Sequence, residues 1–244
     1  MSSAAVSSGT EAALLEQINS VMSRIDGKTT ELQNSINGKL HWLPGGLQDR
    51  VVSGWNTFCG FMKRIWDNLN EIISNMGSLS ALWSTADAWS DRVGSPVSSQ
   101  VQSAEGGLLS VDDNWDGDAA DAYRQTLPLQ KAALDKVKSS LTDGIASALN
   151  DMARGILAFW GGLITALVTL VGGIIGALAS TATIVGLPAG PFIAGAAALV
   201  ASGAMIIGAE TLKAVSSSAN TTLRQKLADN SGFHNGHWPP AARA

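Results

Sequence analysis

Charge is scarce in this sequence, and one long stretch has none. Only 15% of the 244 residues are charged, and the formal net charge is -4. A chain with so little positive charge presents no basic surface to a phosphate backbone, so we expect no nucleic-acid partner. Between Arg154 and Glu210 there is no charged residue at all.

Residues that perform chemistry are also few. The single cysteine, Cys59, cannot form an internal disulfide, and we interpret it as a small apolar residue of a helix. His234 and His237 lie three apart in a segment without cysteine, and His41 stands beside Trp42, so we expect no metal site. No phosphate-binding glycine loop or nucleophile motif occurs. The sequence predicts no enzymatic activity and no cofactor.

Residues 1–10 lack the positive and apolar regions of a secretory signal peptide. We therefore expect either a protein that stays in the cytoplasm or one exported by a route that does not read such a peptide.

Apolar spacing predicts long helices in the first half of the chain. A heptad-like pattern predicts a helix over residues 11–42, ended by Leu43-Pro44-Gly45-Gly46. Alternating steps of four and three predict another over residues 47–93, with Gly77 inside it. Gly94-Ser95-Pro96 then provides a break or a kink, and residues 97–112 fit a shorter polar helix.

A turn is predicted around Trp115-Asp116-Gly117, because helical spacing resumes at Tyr123 and continues to Met152. Glycine permits the chain to reverse, Asp118 is suited to cap the new helix, and tryptophan covers the end of the hairpin. Pro128 is tolerable near the start of this second helix.

The twelve residues from Asp112 to Tyr123 resemble the WXG family of helical-hairpin proteins, which ESX (type VII) secretion systems export. The match includes Trp115, Gly117, Ala119, Ala120 and Tyr123. The resemblance covers about residues 60–155 and implies a helical hairpin, a WXG-type helical partner and export without a signal peptide. The family's Tyr-x-x-x-Asp/Glu export signal is missing, since Leu127 stands four places after the only tyrosine.

The uncharged stretch of residues 155–209 is long enough for two membrane-spanning helices. Prolines and glycines over residues 183–191 divide a first arm at 155–180 from a second at 192–209, which continues into an amphipathic segment at 210–229. Twelve Leu, Ile, Val or Phe residues in the first arm suggest roughly −4 to −7 kcal/mol for insertion, against roughly −2 to −4 kcal/mol for six in the second. The first arm should insert by itself and carry the second with it.

Two sets of side chains are assigned to this hairpin. Those expected to enter a membrane are Phe159, Trp160, Leu163, Leu167, Leu170, Ile174, Phe192, Leu199 and Ile206. Those expected to pack helix against helix are small: Gly162, Ala166, Gly173, Ala177, Ala194, Ala198 and Ala201.

The sequence thus predicts an all-α, elongated helical bundle with long antiparallel hairpins and an apolar helical hairpin near the C-terminus. Its segments are a helical extension at 1–59, a WXG-like hairpin at 60–154, the membrane-active hairpin at 155–209, an amphipathic helix at 210–229 and a disordered tail at 230–244.

The leading hypothesis for function is a secreted or surface-delivered protein that inserts the hairpin into a lipid membrane and forms homo-oligomers, with a pore as one outcome. The alternative is a non-membrane structural or chaperone-like component of a type VII secretion apparatus, whose hairpin stays buried in a soluble bundle. A third is an inner-membrane protein with two permanent spans. A middle course also stays open, in which the amphipathic helices at 11–42 and 47–93 cover the hairpin until it meets a membrane.

Overall fold

The structure is a computed structural model that describes residues 3–74, 77–104 and 115–239, with side chains from residue 9 onward. Within these ranges it contains α-helices and no β-strand, apart from one isolated bridge between His234 and His237. The all-α prediction is confirmed. The helices are α1 (Ser3–Leu40), α2 (Gly45–Ser74), α3 (Leu79–Trp89), α4 (Ser95–Ser103), α5 (Asp118–Arg124), α6 (Leu127–Lys136), α7 (Asp143–Ser180) and α8 (Gly190–Ala228).

Helices α1 and α2 follow the predicted spacing, because the residues of the apolar pattern are the ones that are buried. The reversal between them lies at residues 41–44, as Pro44 and the following glycines predict. The buried positions are Ile18, Val21, Ile25, Leu32 and Ile36 in α1, and Val51, Phe58, Met62, Ile65 and Leu69 in α2.

The predicted helix over residues 47–93 is interrupted, which corrects the sequence-based expectation. Helix α2 ends at Ser74, Gly77 and Ser78 are not helical, and α3 begins at Leu79. Glycine weakens a helix by about 1 kcal/mol relative to alanine, and serine is a favoured residue just before a helix. Here the low helix propensity of Gly77 and the preference of Ser78 for the position before a helix outweigh the apolar pattern.

The expected irregularity near Pro96 is a π turn. Residues Ser90–Gly94 form it between α3 and α4, and Pro96 stands in the first turn of α4, two residues after the π turn. Of the predicted polar helix at 97–112, residues up to Ser103 are helical. Residues 105–112 of that prediction lie outside the described ranges.

The helix predicted after Trp115 consists of three consecutive pieces. A turn at Gln125 and Thr126 separates α5 from α6, Pro128 occupies the first turn of α6, and a second π turn, Val137–Thr142, leads into α7. Asp118 does not cap α5, because it is the first helical residue and Gly117 holds the capping position without a side-chain bond. Its carboxylate still lies in the first turn, where negative charge is favoured.

The described chain divides into two compact units. Unit 1 contains residues 80–155 and 214–244, together with 1–4, and unit 2 contains residues 5–79 and 156–213. Unit 2 therefore joins the N-terminal helices to the apolar hairpin. The segment boundary expected at residue 59 falls inside the continuous helix α2.

In unit 1, the two π turns face each other. A Cβ at Gly94 would stand 2.8 Å from the Thr142 side chain, and α4 packs against α6. These pairings make the helices before and after Trp115 antiparallel, as predicted. Residues 230–239, expected to be disordered, form hydrogen-bonded turns here, with Gly232 lying against Lys136.

Candidate membrane-active hairpin

Helices α7 and α8 form a closely packed antiparallel hairpin in unit 2. Gly208 lies against the ring of Phe159, Gly173 against Ala197, and Gly190 against Thr181. A Cβ at Gly173 would stand 2.1 Å from the Cβ of Ala197, far inside a normal contact. The hairpin thus brings together the two arms that the sequence predicts, with small residues at the closest approach.

The first arm turns its large side chains inward. All six of its residues assigned to membrane insertion are buried, including Trp160, which is among the largest fully buried side chains of the chain. They share the interior of unit 2 with the apolar residues of α1 and α2. The six are Phe159, Trp160, Leu163, Leu167, Leu170 and Ile174.

The second arm is arranged the other way round. Its alanines Ala194, Ala198 and Ala201 are buried, whereas its large apolar side chains, except the buried Met205, point outward. The outward residues form pairs that repeat every seven positions, Phe192-Ile193, Leu199-Val200 and Ile206-Ile207, and between 40% and 69% of each is exposed. A helix that buries small residues and exposes large ones is not packed as a soluble surface helix is. We call these six residues the outer face.

Sequence reasoning counted all six residues of the outer face toward insertion, but it named only Phe192, Leu199 and Ile206 as membrane-inserting residues. It did not recognise that the six form one face. The signal was present, because a pair of large apolar residues recurs at intervals of seven.

Most of the predicted small-residue contacts are in place. Ala166, Ala177, Ala194, Ala198 and Ala201 are buried, and Gly173 makes the close approach to α8. The exception is Gly162, which is exposed with no atom of another element within 4 Å of an added Cβ. Positions 162 and 166 are one turn and 40° apart, so the stripe drifts off the packed side at its N-terminal end.

The outward side of the first arm carries hydroxyl groups that are already paired. Thr165 Oγ1 donates to the carbonyl of Gly161 and Thr169 Oγ1 to that of Thr165, both at 2.8 Å. Between and beyond them Val168 and Ile175 are exposed. This side therefore offers apolar groups and internally bonded polar ones, which is the condition for contact with lipid.

Helix α1 holds the end of the first arm. Lys39 Nζ donates to the carbonyl oxygens of Thr181 and, at 3.1 Å, Ala182, and the hydroxyl oxygens of Ser35 and Thr181 are 2.9 Å apart. A cation at the carbonyl end of a helix is electrostatically favourable. This contact ties α1 to the turn of the hairpin.

Helix α2 covers the second arm only in part. At Gly54 a Cβ would come within 3.0 Å of Pro191, so the two helices touch there. Beside this contact a groove of about 220 Å³ is lined by residues that include Phe61, Phe192 and Leu199. A second groove of about 480 Å³, lined by Ile72, Met205 and Ile206 among others, opens further along the same pair.

Two helical stretches, Asp118–Ser180 and Leu187–Ala228, satisfy the length and hydropathy of a membrane span, with mean hydropathy 2.2 and 2.0 in their best windows. The core helix of a soluble protein meets the same criterion, although such a helix is mostly buried. Here 44% and 33% of the two windows are buried. The exposed remainder within residues 155–209 carries no charge.

The Trp115 turn is partly described. Gly117 has a φ of +101°, the region that glycine adopts without strain, and the rings of Trp115 and Tyr123 lie 5.9 Å apart. Arg124 donates to the carbonyl of Trp115 at 3.1 Å and pairs with Asp121. Trp115 remains 41% exposed, so it packs on its own hairpin and keeps a free surface.

Metal-ligating histidine and nucleophilic cysteine side chains are few in the described part of the chain. Over those ranges no three His, Cys, Asp or Glu side chains come together as a metal site would require. Cys59 is exposed on α2, and partial burial raises the pKa of its thiol, which disfavours the reactive thiolate.

Comparisons with known proteins add no relative. No protein-family model, no curated protein and no solved structure matches this chain.

Proposed function

We propose that this protein inserts the hairpin of residues 155–209 into a lipid membrane and that inserted copies assemble into oligomers. The observation that carries the proposal is the outer face, because six large apolar side chains stand in water on a helix that buries alanines. Full burial of such a side chain is worth about 1.5–3 kcal/mol, so each half-exposed one leaves about 1 kcal/mol unrealised. A bilayer would supply on the order of 5 kcal/mol for the six.

The first arm joins the membrane in a second step. Its large residues are satisfied in the interior of unit 2, and a hydrocarbon core would satisfy them about equally, since neither environment offers water. Exchange of α1 and α2 for lipid therefore leaves the burial of the first arm nearly unchanged but uncovers the apolar faces of α1 and α2. Prior contact of the second arm with the membrane supplies the drive for this step. The same residues serve both states.

Oligomers would form through the outward side of the first arm. Gly161, Thr165 and Thr169 recur at steps of four on this side, with open space at Gly161, and small residues at that spacing let helices approach closely in lipid. Export by a type VII route is the remaining part of the proposal, and it rests on the Trp115 turn and the resemblance it carries.

Dye release from liposomes tests insertion. We expect the wild-type protein to release dye. The triple variant Phe192→Ser, Leu199→Ser, Ile206→Ser should lose most release while its helical circular dichroism stays unchanged and it remains folded at the assay temperature. A matched control, serine at the exposed Leu15, Val52 and Leu227, should release dye normally. Intact vesicles with the wild-type protein over a range of pH would overturn the proposal.

A soluble structural role in a secretion apparatus is the second candidate. The seven-residue repeat of the outer face favours it, because a helical partner would pack along such a seam as in a coiled coil. It predicts a protein that stays soluble without detergent and leaves vesicles intact. Fractionation of expressing cells distinguishes the inserting protein and the soluble component from a third possibility, a protein with two permanent membrane spans. Such a protein would occur only in the membrane fraction of its own cells.

A further inference from the structure

Two turns lie at the same end of unit 2. The last turn of α1 contacts Thr181 and Ala182 through Ser35 and Lys39, and α2 contacts the short 3-10 turn Leu187–Ala189. The reversal between α1 and α2 at residues 41–44 therefore stands beside the hairpin turn at residues 181–189. This end of unit 2 is therefore formed by the turn between α1 and α2 together with the turn between α7 and α8.

This end carries the most exposed apolar side chain described. Val185 is 93% exposed, Ile184 beside it is half-exposed, and Trp42 in the neighbouring turn is 66% exposed. Phe192 continues the exposed surface into the outer face. Surface turns are normally polar, since their backbone and side chains are solvated. Three large apolar residues at two adjacent turns are a departure that solvent does not explain.

Part of the backbone of the hairpin turn is bonded internally. The amide of Leu187 donates to the carbonyl of Thr183, the amide of Gly186 to Thr183 Oγ1, and Ser180 Oγ to the carbonyl of Gly186. Lys39 donates to the carbonyls of Thr181 and Ala182. A turn built in this way can leave water without exposing these polar groups to an apolar phase.

The α1–α2 turn is built on the same principle. The amides of Trp42 and Leu43 donate to the carbonyls of Lys39 and Leu40, and Gln48 Nε2 donates to the carbonyl of Leu43 at 2.7 Å. A protein partner would use free polar groups at a rim for about one hydrogen bond per 100–200 Å². Here several of those groups are bonded within the turns, and the large side chains presented outward are the apolar Trp42, Ile184 and Val185.

The charges nearby suit an anionic bilayer. The hairpin turn has none, and from Lys39 to Arg50 the chain holds two cations and one carboxylate, Asp49. Tryptophan is the residue most suited to the interface between headgroups and hydrocarbon.

We infer that Trp42, Ile184 and Val185 form a docking tip, which enters the interface of a lipid bilayer while the helices of unit 2 remain packed. The inference rests on the proposed function and adds to it the place and order of contact. The tip binds first with the fold intact, and release of the hairpin from α1 follows.

The first test is Val185→Asp, measured by co-sedimentation with vesicles of phosphatidylcholine and phosphatidylglycerol. A carboxylate at the most exposed position should weaken binding about tenfold or more, because ionised groups are strongly disfavoured in the apolar part of a bilayer. Leu227→Asp, at an exposed leucine of unit 1, is the matched control and should bind as the wild type does. Equal binding of Val185→Asp and wild type would overturn the inference.

The second test separates docking from insertion. In a Cys59→Ser background, Ser35→Cys with Thr181→Cys places two thiols where hydroxyl oxygens now lie 2.9 Å apart, and oxidation would tie α1 to the hairpin turn. We expect the oxidised protein to bind vesicles as well as the reduced protein and to release no dye.

The outcomes identify which statement fails. Loss of vesicle binding on oxidation would show that the closed form does not dock, which overturns the inference and leaves insertion standing. Binding by both forms without dye release from the reduced form would support the docking tip and overturn insertion. Absence of vesicle binding by wild type at any lipid charge would overturn both and favour a protein partner at this end.

Discussion

Gly173 and Ala197 mark the closest approach of the two arms, because a Cβ at position 173 would stand 2.1 Å from the Cβ of Ala197. The atom that would clash with this Cβ is the methyl group of Ala197. Both groups are attached directly to a helix backbone, so neither can rotate away. The distance between α7 and α8 is therefore set at this point by the absence of a side chain.

The adjacent glycines give the first prediction. Gly173→Ala should lower the free energy of unfolding by about 1–3 kcal/mol, since the helices must part. Gly172→Ala should raise it by up to about 1 kcal/mol, because its Cβ meets open space and alanine favours the helix. Urea unfolding of the two variants measures the contrast. Shifts of the same sign would contradict the described packing.

The second prediction compares two leucines of the hairpin. Leu170 is fully buried and Leu199 is 56% exposed. Leu170→Ala should cost about 2–5 kcal/mol of stability. Leu199→Ala should change stability by less than about 0.5 kcal/mol and weaken vesicle binding. Thermal melts and co-sedimentation together check it, and a large loss of stability at Leu199 would mean that the outer face is covered.

The third prediction concerns the turn after Trp115. At a φ of +101°, Gly117→Ala forces a side chain into a disfavoured backbone region and should cost about 1 kcal/mol or more. Gly38→Ala, in the open on α1, is the matched helical control and should stabilise. Denaturant midpoints of both variants show whether the turn is formed as described.

The fourth prediction is a pH dependence in unit 1. The pKa of Asp229 is held well below its usual range, first by the side-chain bond from Lys136 and then by Ser231. Because the folded pKa is depressed, its contribution to stability is present above the unfolded value of about 3.9 and is lost as the pH falls toward the folded value.

Asp229→Asn should therefore lower the stability at pH 7, and the difference from wild type should shrink steadily below about pH 4. Unfolding measured across pH 2–7 on both proteins gives the comparison. A difference that is constant over this range would show that Asp229 is not paired.

The periodic spacing of apolar residues predicted the helices well where the helical backbone is uninterrupted, as in α1 and α2. It failed at Gly77, since Leu79 and Trp83 continue the steps of four and three across the interruption. A side-chain pattern does not register a short loss of backbone helix when the next helix resumes in phase.

The site was predicted in position but not in orientation. Hydropathy placed both arms correctly, yet it could not tell that the first arm buries Leu167 while the second exposes Leu199. An uncharged helix has no polar face from which direction could be inferred. Only the sizes of the side chains show which side of such a helix faces the interior. In α8 the paired large residues lie on one side and the alanines on the other.

The π turn at Ser90–Gly94 fixes the length of the helix that contains it. Buried positions Leu79, Ala86 and Gly94 are separated by seven and then eight residues, so the turn absorbs one residue beyond the α-helical count. Deletion of one residue from 90–93 would restore regular α-helix and place Gly94 seven residues after Ala86, on the same face and still against Thr142. Insertion of one residue would instead turn Gly94 away by about 100° and bring a bulkier neighbour against Thr142. This segment should therefore tolerate loss of a residue better than gain of one.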